Sequence, residues 1–109
     1  MSIELPVLQD LRLEYRAPDV EAPLAVAVLL ADRARSSILA LLADGPHCVC
    51  EMAAALGARE NNVSNHLARL RDAGLVRASR HEGDSRRVYY ERDEAACALA
   101  LKALGGLLR

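Results

Sequence analysis

The residues best suited to chemistry in this chain are Cys48 and Cys50, with Val49 between them. Two sulfurs two residues apart in an extended segment can face one soft ion, and the thiolate is the form that binds metal or reacts. Thiolates favour zinc, cadmium, lead, arsenite or copper(I) over hard cations. A short helix is expected from Glu51 to Leu56, which puts Cys50 near its N-cap, where the positive end of the helix dipole favours thiolate. His47 adjoins the pair but, as the immediate neighbour of Cys48, is expected to point the other way. Cys97 is expected to be a small packed residue on a later helix. Three cysteines, an odd number, exclude a disulfide framework and suggest reduced thiols in a cytoplasmic protein.

A second group is polar and basic. Arg59, Asn61, Asn62, Ser64, Asn65, His66 and Arg69 crowd one short segment, and Arg80, Arg86 and Arg87 follow after a gap. Asn and Arg can pair with adenine and guanine edges, while Ser and backbone N–H groups hold phosphate. There is no Gly-rich phosphate loop and no nucleophile beside a base at informative spacing, so enzymatic activity is not expected.

Helices must position both groups. The 109 residues include 19 Leu and 20 Ala but no Phe or Trp, a composition that favours close-packed helices over a β-sandwich. Residues 1–23 read as an N-terminal arm or helix with Leu5, Leu8, Leu11 and Tyr15 on one face, punctuated by Pro18 and Pro23. Residues 24–109 read as one domain. Leu24 to Leu30 is apolar on every side, as a buried or subunit-contacting helix would be. A helix from Asp32 to Ala43 follows, with Asp32 as its N-cap and Gly45-Pro46 as its stop. After the Glu51–Leu56 helix, Gly57 suits a left-handed C-cap. The next helix spans Glu60 to Ala73, with Val63, Leu67 and Leu70 on its apolar face.

The period then changes. Residues 75–80 and 87–91 read as two strands about a turn at 81–85, a β-hairpin. Asp93-Glu94 begins a last helix in which Cys97, Leu101, Leu104 and Leu108 recur on one stripe. Leu99 and Leu107 widen it beyond the needs of one small core, which predicts a second subunit. Two helices joined by Gly57-Ala58-Arg59, then an Arg-rich hairpin, make a winged helix-turn-helix whose second helix enters the major groove of double-stranded DNA. The net charge of −1 conceals this: residues 59–92 carry a balance of +3, whereas residues 1–58 carry −4. Glu4 and Asp10 stand where a secretory signal would be basic, and no apolar run is long enough to span a membrane, so a cytoplasmic location is expected.

The run Ala31 to Leu39 resembles a signature of the ArsR/SmtB family of metal-responsive repressors. So do Cys48 to Ala53, Val63 to Leu67, Leu70 to Val76 and Val88 to Tyr90, and the likeness spans residues 24–104 or so. The resemblance implies a homodimer joined by its first and last helices and bound to an inverted-repeat operator. An inducer, here a metal or metalloid such as zinc, nickel, cadmium, lead or arsenite, would lower DNA affinity from the Cys48/Cys50 box. Residues 1–46 hold no Cys or His, so only carboxylates such as Glu4, Asp10 or Glu14 are offered from that side. The family's other site, across the last helices, keeps Glu94 but has Ala95 and Ala96 where histidine is expected. Two other readings remain open, a thiol-redox regulator and a partner-dependent co-regulator with a degenerate metal site.

Overall fold

The computed structural model describes residues 17–79 and 87–109. The expectations for residues 1–16 of the arm, for Arg80 at the end of the first hairpin strand and for the 81–85 turn lie outside the described residues. The described elements are α1 (Glu21–Leu30), α2 (Arg33–Leu42), β1 (His47–Cys48), α3 (Val49–Leu56), α4 (Glu60–Asp72), β2 (Val76–Ser79), β3 (Tyr89–Arg92) and α5 (Glu94–Leu108). α1 begins earlier than the apolar run suggested and takes in Pro23. Proline is tolerated there because the first turn's N–H groups have no intrahelical acceptor to lose.

The start of α2 and the end of α3 each have a local reason. Asp32 caps α2, its Oδ1 accepting the Arg35 N–H at 3.1 Å. Gly57 closes α3 in the left-handed region, φ 62° and ψ 34°, so the chain turns within three residues and re-enters a helix at Glu60. The core forms where these helices meet: Ile38 and Leu42 of α2, Met52 of α3, and Val63, Leu67 and Leu70 of α4 are all buried. Leu75 and Val76 close it from the sheet side, and Tyr90 packs against it while half-buried.

The hairpin is joined by a strand that the sequence did not announce. β1 pairs antiparallel with β3, His47 opposite Tyr90 and Cys48 opposite Tyr89, giving the strand order β1-β3-β2. A two-residue strand has no alternation to read. Its effect is to tie the cysteine segment to the returning strand of the hairpin.

α5 lies along α1, capped by Asp93, whose Oδ1 accepts the Ala96 N–H at 3.0 Å. Neither helix has a buried residue. Val28 is 61% exposed, Leu99 69% and Leu101 71%, so the apolar arc of α5 extends past what α1 covers on both sides. Among the described residues no helix is long and apolar enough to cross a membrane.

Candidate functional site

α4 is built in two halves around its axis. Val63, Leu67 and Leu70 turn inward and are 1%, 1% and 0% exposed. At about 100° per residue this leaves Asn61, Asn65 and Arg69, spaced i, i+4 and i+8, along the opposite side. All three are exposed, as are Asn62 and Ser64. Arg59 is also exposed and occupies the N-cap, where no side chain bonds the helix's first N–H groups. Ten of α4's thirteen residues thus remain outside the core, and its outward strip offers amide and guanidinium donors.

His66 is the exception in that polar run. It is half-buried and faces α2, its Nδ1 3.4 Å from Arg35 Nη1 and its Nε2 3.9 Å from Asp32 Oδ1. The sequence held a signal for this. Position 66 is three residues after Val63 and four before Leu70, at the edge of the buried stripe instead of opposite to it.

The arginines of the hairpin divide by role. Arg77 bridges Glu91 at 3.0 Å and Asp93 at 3.4 Å, and the bond to Glu91 raises its already high pKa. Arg92 donates to Glu94 at 3.1 Å. These two brace the sheet. Arg87 is exposed at the base of the returning strand, while Arg80 and Arg86 lie outside the described residues.

The cysteine segment is more tightly organised than expected. Cys48, not Cys50, is the N-cap of a helix that starts at Val49, two residues earlier than the sequence suggested. The extended backbone of β1 delivers Cys48 in the non-helical conformation a cap requires (φ −85°, ψ 165°). Its Sγ accepts the Glu51 N–H at 3.4 Å, and Glu51 Oε1 accepts the Cys48 N–H at 2.9 Å, a reciprocal capping box. That backbone N–H bond holds the Glu51 carboxyl below the usual glutamate range, helped by His47, 3.8 Å away, and by the charge of Arg87.

Cys48 is buried and Cys50 half-buried, and their sulfurs lie against one another with Cα atoms 5.5 Å apart, within the span a disulfide can bridge. Beginning the helix at Val49 folds Cys50 back towards the cap, which is what brings its sulfur to that of Cys48. Cys97 is unpaired and half-buried, its thiol 3.7 Å from the Leu75 carbonyl in a small apolar cavity between α1 and α5.

The donors present suit a soft ion in kind but not in number. Two reduced sulfurs are half of a tetrahedral shell. Among the described residues no three His, Cys, Asp or Glu side chains converge on one point.

A family model for bacterial regulatory proteins of the arsR family matches residues 32–78. The HTH-type transcriptional regulator CmtR of Mycobacterium tuberculosis is 45% identical over 75 residues, covering 69% of this chain and 61% of CmtR. The arsenical resistance operon repressor of Escherichia coli is 40% identical over 55 residues, covering 50% of this chain and 47% of the repressor. This chain therefore spans about half to three-fifths of the length of these relatives. Among solved structures, one described as a possible transcriptional regulator for arsenical resistance superposes with a TM-score of 0.69. It is 27% identical and covers 77% of this chain and 84% of that one.

Proposed function

The chain belongs to the arsR family of bacterial regulatory proteins, and from that premise we propose that it is a dimeric transcriptional repressor whose operator binding is modulated by a metal or metalloid ion. The observation that carries the reading is the outward strip of α4, where Asn61, Asn65 and Arg69 stand exposed while Val63, Leu67 and Leu70 seat the helix on the core. A helix so mounted enters the major groove with its amides and guanidinium at base edges. Arg59 and the uncapped first turn of α4 meet phosphate, as do Arg80, Arg86 and Arg87 of the hairpin. The exposed apolar sides of α1 and α5 pair two copies, which sets two α4 helices on an inverted repeat.

The modulating ion is soft or borderline, taken up by reduced Cys48 and Cys50 with further donors from outside the described residues. Because Cys48 is both the cap of α3 and a partner of Tyr89 in the sheet, occupancy of its sulfur bears on the first helix of the DNA-reading pair and on the hairpin together. A second reading is favoured by the juxtaposition of the Cys48 and Cys50 sulfurs. In it a small-molecule disulfide takes two electrons from the two thiols, forming the Cys48–Cys50 bond and leaving as two thiols.

Electrophoretic mobility shifts on the promoter of the chain's own operon, across salt concentrations, test the DNA reading. Wild type binds with an affinity that falls as salt rises, and Asn62→Ala and Arg69→Ala each weaken binding about tenfold without unfolding the protein. Unchanged affinity in both variants refutes the assignment of α4. Anaerobic titration of the reduced complex with zinc, nickel, cadmium and arsenite separates the ion reading from the redox one. Release by an ion supports the first, and release only on oxidation supports the second.

A further inference from the structure

One charged side chain in the chain's interior has no part in the function so far. Arg35 is the single buried polar or charged residue among those described, with its side chain 11% exposed. An unpaired buried guanidinium would be costly, so its partners indicate why it is there. Nε donates to the Leu29 carbonyl at 2.6 Å and Nη2 to the Val28 carbonyl at 3.4 Å, both in the last turn of α1. Nη1 reaches His66 Nδ1 on α4 at 3.4 Å. Asp32 adds its carboxylate at 3.9 Å from both the guanidinium and the imidazole.

Resting on the DNA reading of α4, we propose that Arg35 is a positioning residue that joins the end of the first helix to the DNA-reading helix through His66, and so fixes the angle at which each α4 is presented to its half-site. The planar fork makes this possible, since one guanidinium can bond two carbonyls on one side and an acceptor on the other. The chemistry also fixes the imidazole. With Nη1 donating, Nδ1 must be the unprotonated acceptor, and Nε2 carries its hydrogen towards Asp32. One side chain thereby ties the end of α1 to α4, in addition to the packing of both against α2. In a dimer bound to an inverted repeat, the relative angle of the two α4 helices determines which half-site separation is accepted. A loosened link would therefore change discrimination between separations as well as affinity.

The test uses the full-length reduced protein. Its probes are the inverted-repeat duplex that wild type selects from a random pool, and the same duplex with its centre one base pair longer or shorter. His66→Ala is expected to bind the selected duplex about tenfold more weakly and to accept the three separations within about twofold of one another. His66→Asn, whose Oδ1 stands where Nδ1 stood, is expected to restore both affinity and separation preference. Arg35→Lys, which keeps the charge and loses the fork, is expected to behave like His66→Ala. If that variant does not fold, the two His66 variants decide the matter. The proposal is overturned if His66→Ala keeps the wild-type separation preference, whatever its affinity, or if His66→Asn rescues nothing. Wild type that binds no duplex at low salt refutes the DNA reading itself, and this link with it.

Discussion

Serine in place of Cys48 separates the two jobs assigned to that residue. Its Sγ caps α3 by accepting the Glu51 N–H at 3.4 Å, and it is 2% exposed, so the cap is shielded from competing water. Removing an N-cap acceptor costs ~1 kcal/mol, within a range of roughly 0.5–2. For a domain of this size that lowers Tm by about 5 °C. Cys48→Ala should show that loss. Cys48→Ser should not, because a hydroxyl is a stronger acceptor than sulfur and is preferred at this position. Both variants lose the soft ligand, so both should bind operator and neither should release it on titration with cadmium or arsenite. Cys50 makes no cap, and Cys50→Ser should match wild type in stability while sharing the lost response. The assay is thermal melting by far-UV circular dichroism at fixed protein concentration under reducing conditions, with operator binding followed by fluorescence anisotropy. Equal destabilisation by Ala and Ser would refute the capping role. Ion-driven release that survives in Cys48→Ser would refute Cys48 as a ligand.

Glu51 should contribute to the acid sensitivity of the fold. The Cys48 N–H holds its carboxyl below the usual range, so the native state binds fewer protons than the unfolded one, and stability present at neutral pH is lost as pH falls through and below the glutamate range. Glu51→Gln should flatten that part of the slope in urea titrations run across acid pH, and an unchanged slope would count against the capping box. Leu101→Glu places a charge on a 71% exposed apolar flank of α5 and should shift the protein from dimer towards monomer in sedimentation experiments. A dimer undisturbed by it would mean that this flank is not the subunit contact.

The helices were legible because each carries its own punctuation. Asp32 before α2, Gly57 after α3 and the spacing of Val63, Leu67 and Leu70 are local signals, and the structure places element boundaries within a few residues of them. Two features were not local. β1 exists only because His47 and Cys48 find Tyr90 and Tyr89 some forty positions later, and no property of a two-residue segment foretells such a pairing. The start of α3 follows from the same contact. Once Cys48 is held extended in the sheet, the helix begins at Val49 and the cap falls to Cys48. Judged from residues 48–56 alone, the acidic Glu51 looked like a first-turn residue of a later helix, whereas it is the third residue of an earlier one, bonding back to the cap.

The candidate site was legible by residue type but only partly by direction. Sequence adjacency grouped His66 with the Asn and Arg residues around it, although its register sets it beside the core. Arg35 carries the matching clue on α2. It lies three residues before Ile38 and seven before Leu42, in line with the two other buried positions of that helix. A charged residue on an apolar stripe has to find partners across the core or be expelled from it. When a polar residue on a facing helix also sits at the edge of its own stripe, as His66 does, the two are candidates for one another before any coordinates exist. That register argument extends past composition, since net charge and residue counts treat Arg35 and Arg69 alike. One faces the core, bonded to Leu29, Val28 and His66, and the other faces outward on α4. On the proposed reading only Arg69 therefore adds to the positive surface offered to DNA, and Arg35 sets where that surface points.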